Sequence, residues 1–121
     1  MSSEEASSLR IAVVGACASG KSTLVSSLLS EGYEVRHVAQ DHSFVPDMWR
    51  RISQPDILIF LDVDYETIKA RRPKTTLRPT DLVEQERRLS HARDSCDLLI
   101  DTNPLTPGEV LRQALSYLED V

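Results

Sequence analysis

The sequence predicts an α/β domain in which a small, mainly parallel sheet of four to five strands is flanked by helices. Three observations carry that expectation. Apolar, β-rich runs alternate with amphipathic helical stretches along the chain, the order that wraps helices over a parallel sheet. Ile57-Leu58-Ile59-Phe60-Leu61 is apolar at every position, as in a strand covered on both faces. Ile11 to Leu29 runs from an apolar strand through a glycine-bounded loop directly into a helix with an apolar face.

The elements follow in order. Ile11 to Val14 reads as the first strand and Ser22 onward as the first helix, with Thr23, Leu24, Val25, Leu28 and Leu29 on its inner face and Gly32 at its C-cap. Tyr33 to Ala39 alternates as a second strand, and His42 to Val45 would supply a fifth strand if it extends one. Pro46 to Ile52 suits a short helix with proline in its first turn. Beyond the apolar run, Asp64 can N-cap a helix from Tyr65 to Arg72, which Pro73 stops. Thr80 or Asp81 would cap the next helix, with Leu82, Val83, Leu89 and Ala92 inward. Asp97 to Asp101 is the last strand. Thr106-Pro107-Gly108-Glu109 has the form of a capping box, and Val110, Leu111, Ala114, Leu115 and Leu118 form the buried stripe of the final helix.

Composition bounds the function. With 121 residues, 40% hydrophobic and 27% charged, the chain suits one domain over residues 10–121, behind a polar, flexible tail over residues 1–9. No apolar run is long enough to span a membrane, and the N-terminus lacks a secretory pattern. Cys17 and Cys96 lie far apart without metal-ligand spacing, so free thiols in a reducing cytoplasm are expected. A net charge of −5 argues against a nucleic-acid partner.

The most specific signal is Gly15-Ala16-Cys17-Ala18-Ser19-Gly20-Lys21-Ser22, which fits G-x-x-x-x-G-K-[ST] at every fixed position. Glycines at both ends let the loop curl until successive N–H groups point inward, and the helix that follows adds its N-terminal partial charge. Such a loop cradles the phosphates of a nucleoside triphosphate, with Lys21 reaching the β- and γ-phosphates and Ser22 a Mg²⁺ ion. The cradle takes in Gly15, Ala16, Cys17, Ala18, Ser19, Gly20, Lys21, Ser22 and Thr23. In a parallel sheet, ligands bind beyond the carboxyl ends of the strands. That rim also receives Asp41-His42, Asp62-Val63-Asp64 and Asp101-Thr102-Asn103. Asp41 is the first choice for a metal or catalytic carboxylate and Asp62 the rival; either residue can instead cap a turn.

Lys69, Arg71, Arg72, Lys74, Arg78, Arg87 and Arg88 crowd one segment of an acidic chain. Planar guanidinium groups suit the charge that develops in phosphoryl transfer, and Arg72 and Arg78 are the candidates. The alternative is a solvated face paired with Glu66, Glu84 and Glu86. Cys17, inside the loop, is either a reactive thiolate or simply a small residue. Phe44 and Trp49 could stack a ring, with packing the better account of Trp49.

These residues resemble the P-loop kinases of nucleosides, nucleotides and other small molecules, such as thymidylate, adenylate and dephospho-coenzyme-A kinases. Gly15 to Thr23 is similar to their ATP loop, Pro55 to Asp64 to their strand-to-helix junction, residues 71–79 to their basic lid, and Cys96 to Thr102 with Leu105 to Pro107 to their closing strand, turn and helix. The resemblance implies a three-layer P-loop NTPase-type fold, ATP and Mg²⁺ as cofactors, and Thr102, Asn103 and Pro104 near the adenine. Two departures stand out. Only residues 33–54 occupy the place of the family's acceptor-binding insertion, and His42 follows Asp41 where an Asp-Arg pair is common. The acceptor site is therefore minimal, completed by a second copy of the chain as a homodimer, or absent. No Asn-Lys-x-Asp signature for guanine is present.

The leading expectation is an ATP-dependent phosphotransferase acting on a small-molecule or nucleotide acceptor, without nucleic-acid or membrane partners. Lys21, Asp41, Arg72 and Arg78 would be its catalytic residues. The alternatives are a nucleotide-binding regulatory module without transfer activity and a slow ATPase working with a partner protein.

Overall fold

The computed structural model describes residues 9–121; the segment 1–8, most of the expected tail, lies outside the described residues. Among the described residues, four strands form one all-parallel sheet: β1 (Arg10–Gly15), β2 (Glu34–His37), β3 (Ile57–Asp62) and β4 (Leu98–Asp101), in the order β2-β1-β3-β4. The helices are α1 (Lys21–Ser30), α2 (Met48–Ser53), α3 (Tyr65–Arg71), α4 (Pro79–Ser95) and α5 (Pro107–Glu119). The expected fifth strand does not form. Residues Gln40–His42 instead make a 3₁₀ turn, whose Gln40 side chain donates to the Val45 carbonyl at 2.8 Å and accepts from the Trp49 N–H at 2.8 Å. Those local bonds take up groups that a strand would have offered to a neighbour.

Period-two alternation in β1 and β3 sends side chains to opposite faces. Ile11, Val13, Ile57, Ile59 and Leu61 pack with Leu24 and Leu28 of α1 and with Val110, Ala114 and Leu118 of α5. Ala12, Val14, Leu58 and Phe60 pack on the other face with Trp49, Ile68, Leu82, Leu89 and Ala92. Each fully buried Leu or Ile contributes about 1.5–3 kcal/mol. Leu9, placed in the tail by sequence, packs half-buried against the α1–α5 side.

Helix ends are closed locally. The N–H of Tyr33 donates to the Leu28 carbonyl at 3.1 Å and that of Gly32 to Leu29 at 3.0 Å, a Schellman closure of α1. The Asp64 carboxylate accepts from the Thr67 N–H at 2.8 Å, as expected. Thr106 and Glu109 exchange the reciprocal bonds of a capping box, at 3.2 and 2.8 Å. At α4 the expectation needs correction. Arg78 holds the N-cap position, Pro79 opens the helix, and the Asp81 carboxylate reaches back to the Arg78 N–H at 2.9 Å. Proline suits a first helical turn because it has no N–H to leave unbonded, which moves the start ahead of Thr80. Val83, expected inward, is exposed, and Gln85 is buried in its stead.

The N–H groups capped by Asp64 and Glu109 hold both carboxyls below their ordinary range, Thr67 being the main cause at Asp64 and Thr106 at Glu109. A depressed folded-state value adds stability above the unfolded value that is lost as pH falls. The melting temperature is therefore expected to hold above about pH 5 and to drop as carboxyls protonate below about pH 4. Asp64→Asn with Glu109→Gln keeps both caps but removes two titrating groups. Melts across that range should show a shallower acid slope for the double variant, and an unchanged slope would exclude the caps as contributors.

Candidate functional site

The loop between β1 and α1 lies at the carboxyl rim of the sheet, shaped by two positive φ angles, 61° at Ala18 and 99° at Gly20. Ala18 carries the cost of a left-handed residue, of order 1–2 kcal/mol, while Gly20 adopts it without a Cβ clash. The Ser19 N–H closes a turn on the Ala16 carbonyl at 3.1 Å. The Cys17 N–H donates to Gln85 Oε1 of α4 at 3.0 Å. Among the described residues, the backbone N–H groups of Ala18, Gly20, Lys21, Ser22 and Thr23 have no intramolecular acceptor. Unbonded donors at a loop and helix N-terminus favour negative charge nearby.

Lys21 is 9% exposed and Asp41 1% exposed. Lys21 Nζ donates to the Gly15 carbonyl at 2.6 Å and lies 3.2 Å from Asp41 Oδ1. The carboxylate arrives from the 3₁₀ turn after β2, the strand beside β1. Asp41 Oδ1 lies off the hydrogen-bonding direction of Lys21 and has no donor of its own; Ser19 Oγ is also buried without a partner. Asp41 Oδ2 lies 3.4 Å from His42 Nε2. Partial desolvation, followed by the Lys21 charge, lowers the pKa of His37, with Asp41 pulling the other way.

Two cavities share Ala18, Ser19, Gly20, Thr23 and Arg72 as a common wall. One, about 250 Å³, is floored by Leu24, Leu105, Pro107 and Val110 and bordered by Arg71 and Thr102. The other, about 230 Å³, is lined by Cys17, Lys21, Ser22, His37, Ala39, Asp41 and His42. Among the described residues, no three His, Cys, Asp or Glu side chains converge to hold a metal ion.

Lys21, Ser22, Thr23, Asp41 and Arg72 thus meet on one rim. Arg78 does not join them: both arms of its guanidinium bond Asp81, at 3.2 and 3.0 Å, a short-range pair with its own cap. Arg71 reaches the loop, donating to the Ala18 carbonyl at 2.8 Å, to the Thr102 carbonyl at 2.7 Å and to Thr102 Oγ1 at 3.3 Å. The Asn103 amide is tied to the Asp64 N–H at 2.8 Å and to the Asp101 carboxylate at 2.7 Å. Pro104 is exposed, and Thr102, Leu105 and Pro107 line the larger-volume cavity of the two, whereas Asn103 and Pro104 do not. Asp62, the rival carboxylate, pairs with Arg93 at 3.2 Å. Trp49 is buried as packing, its Nε1–H donating to His91 Nδ1 at 3.2 Å. Arg88 turns back toward the site, donating to the Asp41 carbonyl at 3.3 Å and covering the Phe44 ring at 4.4 Å.

Gln85 is the residue that sequence reading missed. Leu82, Gln85, Leu89 and Ala92 repeat at spacings of three and four, so a polar residue on an inward stripe was the available signal. Gln85→Leu keeps the volume but strands the Cys17 N–H, at a cost of about 1–3 kcal/mol. Urea titration should show that loss, and an unshifted midpoint would mean that the loop does not depend on α4.

Fold and site together define an α/β protein with a parallel sheet whose rim carries an N–H-lined loop, a buried Lys–Asp pair and two adjoining cavities. No protein-family model matches the chain, and no curated protein matches its sequence.

Proposed function

We propose that the protein is a P-loop kinase-like enzyme of the three-layer type that binds Mg-ATP at this rim and moves the γ-phosphate to a small-molecule or nucleotide acceptor. One observation carries the reading: five unbonded N–H groups surround a buried lysine in the cavity that also holds Asp41. Phosphate oxygens would satisfy those donors and draw Lys21 from the Gly15 carbonyl. The cavity floored by Leu24, Leu105 and Val110 suits the apolar faces of a base. Arg72, on the shared wall and without an ion pair among the described residues, would meet developing charge. Arg78 would act there only after leaving Asp81.

The residues fit a magnesium ion. Asp41 Oδ1 is buried without a hydrogen-bond donor, and Ser22 lines the same cavity. These two would hold the ion jointly with phosphate oxygens, and it would neutralise charge on the β- and γ-phosphates. Two free thiols suit the reducing cytoplasm that the same reading assigns.

Calorimetric titration with Mg-ATP should give saturable binding at one site per chain; no heat and no competition by ADP would overturn the assignment. Labelled ATP offered to a panel of nucleosides, nucleotides and hydroxy metabolites then tests transfer. A regulatory module is the second reading, favoured by the basic groups of Lys21 and His42 at 3.2 and 3.4 Å from the two Asp41 oxygens. Binding without transfer to any acceptor would select it.

A further inference from the structure

The carboxylate at this rim is buried, whereas the histidine beside it is exposed. Asp41 is 1% exposed, with one oxygen facing Lys21 and the other facing His42 Nε2. The His42 side chain is 65% exposed, lines the same cavity as Lys21 and Ser22, and leaves Nδ1 without a partner among the described residues. A buried carboxylate 3.4 Å from Nε2 favours the tautomer that carries its proton on that nitrogen, which leaves the lone pair at Nδ1. That is how a histidine is prepared as a nucleophile.

We propose that His42 is itself a phosphoryl acceptor, forming a phosphohistidine at Nδ1 from the γ-phosphate of ATP. The inference rests on the nucleotide reading above. The Nδ1 lone pair forms the N–P bond while the bond from the γ-phosphorus to the β,γ-bridging oxygen breaks, its electron pair leaving with ADP. No proton is lost: the cationic ring keeps its Nε2–H, the nitrogen 3.4 Å from the Asp41 carboxylate. Asp41 is the positioning residue. Lys21 and the loop N–H groups face the same cavity and hold the charge on the phosphates. His37 lines the cavity as well, but no hydrogen bond or ion pair joins it to Asp41 among the described residues.

The test uses the full chain, Mg²⁺ and γ-labelled ATP, with an alkaline quench. The expected result is one phosphoryl group per chain, stable in base and lost on brief acid treatment. It should be absent from His42→Asn and retained by His37→Asn. Nitrogen-15 spectra should show the Nε2–H tautomer of His42 in the parent chain and a mixture in Asp41→Asn. Label that survives acid, persists in His42→Asn or disappears with His37→Asn overturns the proposal. Calorimetry on the same samples separates the two readings. Mg-ATP binding without label sinks the phosphohistidine and leaves the nucleotide site standing, and no binding sinks both.

Discussion

Lys21→Ala is expected to cost about 3 kcal/mol of folding stability before any ligand is considered, because removal of one partner from a buried pair strands the other charge. Asp41 is 1% exposed, and its Oδ1 lies 3.2 Å from Lys21 Nζ without a hydrogen-bond donor. With the ammonium gone, the buried carboxylate loses the positive charge beside it. Asp41→Asn should cost less, since Lys21 keeps its bond to the Gly15 carbonyl. The double variant Lys21→Ala/Asp41→Asn should recover much of the loss, giving a favourable coupling in a double-mutant cycle measured by urea unfolding. Additive single effects would show that the pair is screened by solvent. Binding separates from folding in the same set. Every variant lacking Lys21 should bind Mg-ATP about 10- to 100-fold more weakly, the effect of one charge-assisted contact of about 1.5–3 kcal/mol.

Gly15→Ala should cost about 3 kcal/mol, at the top of the usual range for overpacking. A Cβ at that position would stand 2.5 Å from the Leu61 carbonyl oxygen and 2.7 Å from Ser19 Oγ. Ser19 can rotate, but Leu61 belongs to β3 and pairs with Gly15 across the ladder, so relief would have to open the central strand pair. Gly20→Ala makes the control. No atom lies within 4 Å of its Cβ position, and only the 99° φ resists the substitution, at about 1–2 kcal/mol. Urea midpoints should therefore fall further for Gly15→Ala than for Gly20→Ala. The reverse order would mean that the loop does not approach β3 so closely.

Periodicity made most of the fold readable. Ile57 to Leu61 is apolar at each step because both of its faces are covered, and the structure divides those side chains between two packed layers. The caps at Asp64 and Thr106 were legible because their partners lie three residues away. Arg71 shows where local reading stopped. It and Arg78 both lie in the basic segment, yet a carboxylate three residues on captures Arg78, while two distant carbonyls receive Arg71. Charge density along a chain does not say which guanidinium finds which oxygen.

The sequence by itself determined the alternation of strands and helices, the glycine-bounded loop with Lys21 after it, and the caps at Gly32, Asp64 and Thr106. These depend on neighbours within a few positions, where sterics and hydrogen bonding act directly. Tertiary structure alone decided that Asp41 rather than Asp62 meets Lys21, that Gln85 holds Cys17, and that Arg71 spans Ala18 and Thr102. The physical reason is parallel pairing. It sets β2 and β3 on opposite sides of β1 and brings groups from distant segments to one rim, where burial and charge select partners that sequence distance does not encode.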